Sequence, residues 1–126
     1  MRILFLCVAN SARSQMAEGL ARAILPKDIE IASAGSAPGQ VNPLAVQAMS
    51  EIGIDISRQW SKPLDAAAPE TADLIVTLCT EEVCPFVPGT IHRLHWQISD
   101  PSSIGDIATF RAARDQIRDK IAGLTL

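Results

Sequence analysis

An α/β fold, in which a central four-stranded parallel sheet is flanked by helices in three layers, is predicted by three features of this sequence. Strand-like and helix-like segments alternate along the chain. The apolar run Ala72 to Cys79 (ADLIVTLC) is continuous, as in a central parallel strand buried on both faces. No internal repeat, low-complexity tract or linker divides the 126 residues, so residues 1–126 read as a single domain long enough to bury a core without metals or disulfides.

Taken in order, Arg2 to Leu6 reads as a buried strand, bounded by the turn residues Asn10 and Ser11. From Ser14, the residues Met16, Ala17, Leu20, Ala21, Ile24 and Leu25 recur at helical spacing, and Pro26 marks the end. Ile29 to Ala34 is a second strand, stopped by Gly35. Asn42 followed by Pro43 is a helix entry, with Asn as cap and Pro at the first helical position, and Gly53 ends that helix. Pro63 to Ala68 is expected to form a short helical piece, Ala72 to Cys79 the third strand and Thr90 to Leu94 the fourth. Ile104 to Leu124 is a final helix with Ile107, Phe110, Ile117 and Ile121 on one face.

Composition excludes several classes of function. With 48% hydrophobic and 20% charged residues the chain is ordinary for a folded protein and unlike a disordered one. A net charge of −3 gives no general pull toward nucleic acid or an anionic membrane, and without tyrosine there is little to stack bases on. The apolar stretch after Arg2 is at the short end for a signal peptide, and its removal would delete the first strand. No segment approaches a membrane span. The chain therefore reads as cytoplasmic, where three cysteines suggest redox or nucleophilic chemistry.

The segment Cys7 to Ser14, CVANSARS, joins the first strand to the first helix. Such a junction makes an oxyanion site, because successive backbone N–H groups point inward and the helix dipole adds partial positive charge. The amides of Val8, Ala9, Asn10, Ser11, Ala12, Arg13 and Ser14 are the candidate cradle. Cys7 stands at its entrance, and the Arg13 guanidinium is suited to bidentate contacts with two oxygens. The same field favours the thiolate, the nucleophilic form of Cys7. Ser14 is placed to donate to that sulfur or to cap the helix, and Asn10 to adopt a left-handed conformation that pins the loop. The plain alternative is a buried cysteine, a surface arginine and a helix cap.

Two further signals lie downstream. Asp100-Pro101 follows the fourth strand, on the same sheet edge as the cradle, where Asp100 would be able to protonate a leaving oxygen or serve only as a turn residue. In CTEEVCP, Cys79 and Cys84 are five positions apart at a strand end. They would be able to pair if the chain turns, to hold zinc with His92 or His95, or to be inert. The zinc spacing is unfamiliar, and no metal is expected.

With these pieces in place, CVANSARSQMAEG resembles the active-site loop of low-molecular-weight tyrosine phosphatases, and within that superfamily the chain looks most like thioredoxin-coupled arsenate reductases. The likeness extends to SAG at Ser33 to Gly35, VNPLAVQAM at Val41 to Met49, GIDIS at Gly53 to Ser57, VTLC at Val76 to Cys79 and HW with DP between His95 and Pro101. The resemblance implies a low-molecular-weight phosphatase-like fold and a relay. Cys7 attacks arsenate held by the loop and Arg13, and Asp100 protonates the departing oxygen. Cys79 then attacks Cys7 with release of arsenite, and Cys84 attacks Cys79 to leave a disulfide for thioredoxin. No cofactor is implied. The alternative is a phosphatase acting on phosphotyrosine or another phosphomonoester, with Cys79 and Cys84 as bystanders, or a thiol sensor that reacts once.

The chain departs from that pattern in four ways. Ala9 stands where relatives commonly have glycine, Ala12 where many have a further cysteine, and the spacing from Cys79 to Cys84 is short. Some relatives hold potassium through residues matching Asn10, Glu18 and Ser33 plus a carboxylate. Lys62 stands in the place of that carboxylate here, so its ammonium either replaces the cation or is simply solvated.

Overall fold

In a computed structural model, which describes residues 1–79 and 87–124, four strands among the described residues form one parallel sheet. They are β1 (Arg2–Cys7), β2 (Glu30–Gly35), β3 (Leu74–Thr77) and β4 (His92–His95), in the order β2-β1-β3-β4. β1 lies between β2 and β3, with Cys7 opposite Gly35 and Leu6 opposite Thr77. The chain leaves β1 toward β2 and leaves β3 toward β4. The two connections diverge at the carboxyl ends of β1 and β3, which opens the crevice where parallel sheets of this kind bind ligands.

β1 shows why this sequence makes a central strand. Ile3 and Phe5 face one side and Leu4 and Leu6 the other, all with no exposed surface. Burying each of them is worth about 1.5–3 kcal/mol. On the first side Ile3 and Phe5 pack with Met16 and Leu20 of α1 (Arg13–Ile24), Met49 of α2 (Pro43–Ser50), and Phe110, Ile117 and Ile121 of α3 (Ile107–Ala122). On the second side Leu4, Leu6 and Ile75 meet Ala67, Ala72 and Val87, beneath the 3-10 turns Leu64–Ala67 and Pro69–Thr71. The sheet is thus flanked on both faces, by long helices on one and short turns on the other. No described helix is long and apolar enough to cross a membrane.

Several boundaries differ from the sequence expectation, each for a local reason. β3 is shorter than residues 72–79. Asp73 closes its start by accepting a bond from the Arg2 N–H at 2.7 Å, and the Leu78 carbonyl is taken by Arg13, so Cys79 lies two residues beyond the strand rather than at its end. β4 is shifted to His92–His95 by its register with Leu74–Thr77. α3 begins at Ile107, not Ile104. Gly105 has a φ of 82°, and Asp106 caps the helix by accepting a bond from the Thr109 N–H at 2.9 Å. α1 starts one residue earlier than expected, and Ile24 in its last turn is exposed. α2 is entered as its Asn-Pro pair predicts, with the Asn42 side chain accepting from the Leu44 N–H at 2.9 Å.

Candidate active site

The loop between β1 and α1 is shaped by where its carbonyl groups go. Val8 O accepts from the Ala37 N–H, Ala9 O from the Gly39 N–H and the Ser61 hydroxyl, Asn10 O from the Gln15 side-chain amide, and Ser11 O from the Asn42 N–H. The surrounding segments therefore draw the carbonyls outward. Among the described residues, the N–H groups of Ala9, Asn10, Ser11 and Ala12 enter no backbone–backbone hydrogen bond. A curl with outward carbonyls and uncommitted amides is the geometry that cradles an anion. Gly35 allows the approach, since a Cβ there would meet Val8 O at 2.3 Å and Asn10 N at 2.9 Å. Asn10 adopts the left-handed conformation, with φ 49°, while Ala9 is not among the positive-φ residues and so tolerates its methyl group.

The polarity of the network behind the loop follows from a single donor. The Lys62 main-chain N–H can only donate, so the Asn10 atom it reaches at 2.9 Å is Oδ1, and Nδ2 faces the other way. Nδ2 donates to Ser14 Oγ at 2.7 Å and to Ser33 Oγ at 3.0 Å. Ser33 passes its own hydrogen to Glu18 Oε1 at 2.6 Å. Ser14 Oγ, accepting from Asn10, retains a hydrogen for Cys7 Sγ at 2.8 Å. Ser14 therefore serves the sulfur and not the helix end, whose cap residue Ala12 has no side-chain cap. Cys7 is a buried free thiol with the Ser14 hydroxyl beside its sulfur.

Arg13 is buried, and its Nη1 donates to Leu78 O and Ile98 O, both at 3.0 Å. The two carbonyls follow β3 and precede the Asp100 loop, so the guanidinium ties all three connections at this sheet edge together. Nη2 lies 3.9 Å from Asp100 Oδ2. Cys7, Ala9, Ser11, Ala12, Arg13, Asp100 and Ser102 line a cavity of about 40 Å³. No aromatic side chain is among them. Cys79 is buried next to Leu78, the residue that Arg13 holds. Cys84 lies outside the described residues, as does its pairing with Cys79. His95, a possible zinc partner by sequence, instead pairs its Nδ1 with Thr77 Oγ1 at 2.6 Å.

Lys62 is not a solvated surface lysine. Its side chain is 12% exposed, and Nζ donates to Trp60 O at 2.8 Å and lies 3.6 Å from Glu18 Oε1. The ammonium also sits over the Trp60 ring, 5.2 Å from its centroid. Arg22 approaches the other Glu18 oxygen at 3.0 Å, so this buried carboxylate has two cations and a hydroxyl around it. Sequence reading missed Gln15, Gln59 and Ser61. Gln15 is fully buried and its amide bonds to Asn10 O, Asn10 Oδ1 and Trp60 O, while Gln59 donates to Gln15 Oε1 at 2.8 Å. A glutamine inside a buried helix face was the available signal, because an amide there must find partners.

The site can be set beside known proteins. The family described as low molecular weight phosphotyrosine protein phosphatase matches residues 2–125. A protein of Halalkalibacterium halodurans named arsenate reductase is 45% identical over 126 residues, covering 94% of this chain and 91% of its own. A solved arsenate reductase in the phosphate binding state is similar with a TM-score of 0.84 and 34% identity, over 95% of this chain and 92% of that one. The thioredoxin-dependent arsenate reductase of Corynebacterium glutamicum is similar with a TM-score of 0.72 and 32% identity, over 94% of this chain and 59% of that one. Because the match runs from β1 through α3 and includes the whole Cys7 loop, this chain belongs to the low molecular weight phosphotyrosine protein phosphatase family.

Proposed function

We propose that this protein is a cytoplasmic arsenate reductase, acting as a single domain of residues 1–126 through a three-cysteine relay that thioredoxin resets. The observation that carries the reading is the small cavity shared by Cys7, Arg13, Asp100 and Ser102, which matches a tetrahedral inorganic oxyanion and, among the described residues, is lined by no aromatic ring that would clasp a phosphotyrosine. The names of the similar proteins support the same activity, and the Corynebacterium protein supports the choice of reductant.

In this mechanism the amides of residues 8–14 and the Arg13 guanidinium bind arsenate, and the Ser14 hydroxyl, 2.8 Å away, holds the Cys7 sulfur in place. Sγ of Cys7 attacks arsenic, and the departing oxygen leaves as water after taking a proton from Asp100. The Cys79 thiolate then attacks Cys7 Sγ. The S–As bond breaks, its electron pair stays on arsenic, and arsenite departs as the Cys7–Cys79 disulfide forms. Cys84 attacks Cys79 in turn, restoring the Cys7 thiolate and leaving a Cys79–Cys84 disulfide for the thioredoxin dithiol. Two thiols are oxidised for each two-electron reduction of arsenic. Asn10, Ser14, Glu18, Ser33 and Lys62 support the loop, with the Lys62 ammonium standing where a bound potassium ion would otherwise meet Glu18.

Steady-state turnover with thioredoxin, thioredoxin reductase and NADPH tests the relay. The relay predicts turnover by the wild type and none by Cys79→Ser or Cys84→Ser. A second reading, phosphomonoester hydrolysis, is favoured by the family to which the chain belongs. It predicts that both cysteine variants hydrolyse an aryl phosphate as fast as the wild type and that none of the three proteins consumes NADPH with arsenate.

A further inference from the structure

The backbone and the side chain of Asp100 are held by different serines. Ser103 fixes the main chain, its hydroxyl donating to Asp100 O at 2.9 Å, and Thr109 of α3 ties the loop down by donating to Pro101 O at 3.1 Å. The carboxylate is left to Ser102, whose N–H and hydroxyl both donate to Oδ1, at 3.0 and 2.7 Å. A carboxylate oxygen has two in-plane lone pairs, and these two bonds occupy both of Oδ1. Oδ2 is the oxygen that faces Arg13, at 3.9 Å, and Asp100 and Ser102 line the same cavity as Cys7.

We infer that Ser102 is a positioning residue that directs the acid proton of Asp100 to Oδ2, the oxygen turned toward the bound anion. This deepens the proposed function and rests on its reading of Asp100 as the acid. With Oδ1 saturated, a protonated Asp100 carries its hydrogen on Oδ2, from which the proton passes to the departing oxygen of arsenate as that oxygen leaves as water. Without the hydroxyl, Oδ1 keeps one donor, the carboxyl is free to rotate, and the proton is shared between an oxygen that faces the anion and one that does not. Ser102 is exposed, so its replacement does not open the core.

The test compares arsenite formation by the full-length wild type, Ser102→Ala, Ser102→Thr, Asp100→Asn and the Asp100→Asn/Ser102→Ala double variant, at saturating and limiting arsenate. Ser102→Ala is expected to lower kcat about tenfold with KM within about twofold, as loss of one bond to a charged group implies. Ser102→Thr, which keeps the hydroxyl, restores the rate. In the Asp100→Asn background Ser102→Ala causes no further loss, because the serine acts only through the carboxyl group. Wild-type rates in Ser102→Ala alongside a slow Asp100→Asn would overturn the role of Ser102 and leave that of Asp100 standing. An equal loss in both backgrounds would also overturn it, showing that Ser102 acts by another route. A fully active Asp100→Asn would remove Asp100 as the acid, and this inference with it.

Discussion

In the loop of residues 8–14, Asn10 is completely buried and reaches Ser33 and Lys62, which are 23 and 52 positions away in sequence. Across the cavity, in residues 99–105, the hydrogen bonds of Asp100 go to Ser102 and Ser103, and its side chain is 39% exposed. The first loop is held by the rest of the fold and the second largely by itself. An anion cradle has to keep several amides and a guanidinium in place at once, so its geometry is tied to global packing. An acid has only to present one proton, and a short local turn suffices. The two loops should therefore respond differently to substitution. Damage to the first should cost both activity and stability, and damage to the second activity alone.

The largest effect is expected at the residue that joins the two loops. Arg13→Lys loses the fork that holds Leu78 O and Ile98 O while meeting the anion, and arsenite formation should fall by about 10²–10³-fold. Asp100→Asn should slow the same reaction by about 10²-fold with an unchanged melting temperature, because it removes a proton donor from a half-exposed turn. Asn10→Ala sharpens the contrast. It leaves the Lys62 N–H and the hydroxyls of Ser14 and Ser33 without their buried partner, and denaturant unfolding should show a loss of about 2–3 kcal/mol along with reduced activity. A melting temperature as unaffected in Asn10→Ala as in Asp100→Asn would break the comparison.

Smaller effects concern the supports. If the Lys62 ammonium takes the place of a cation beside Glu18, replacing sodium by potassium should change neither turnover nor melting temperature in the wild type. Far from the cavity, Glu51 links α2 to α3 through Arg111 and Arg114. The Arg111 hydrogen bond is the main cause holding its carboxyl below the usual range, with Arg114 adding to it against a desolvation penalty. A lowered folded value means that this contribution is present above the unfolded carboxylate pKa and is lost as pH falls through the folded one. Glu51→Gln should therefore be slightly less stable than the wild type at neutral pH, and thermal melts should converge as the solution is acidified. Activity should be untouched.

Legibility in the sequence follows the same division between local and distant causes. The apolar run of β1, the Asn42-Pro43 helix entry and the placement of Cys7, Arg13 and Ser14 at a strand-to-helix junction are all written within a few adjacent residues, and the structure has them as read. The positive φ of Asn10 was legible for the same reason. Cys79 was misplaced because the end of β3 is set by Arg13, 65 positions from Leu78, drawing that carbonyl away. The start of α3 was placed three residues early, at the exposed Ile104, although the Gly105-Asp106 pair carried the stop and cap signals. Gln15 and Gln59 gave no local hint of their pairing, which spans 44 positions. The part played by Ser102 in the Asp100 turn was not legible, since which oxygen it binds is a matter of side-chain geometry.

A single turnover tests the central claim most directly. Fully reduced protein is mixed with arsenate and no other reductant, arsenite is measured, free thiols are counted and disulfides are mapped by mass spectrometry. The account predicts one arsenite and two lost thiols per chain, with the bridge between Cys79 and Cys84. Three intact thiols, no arsenite and hydrolysis of an aryl phosphate by the same sample would contradict it.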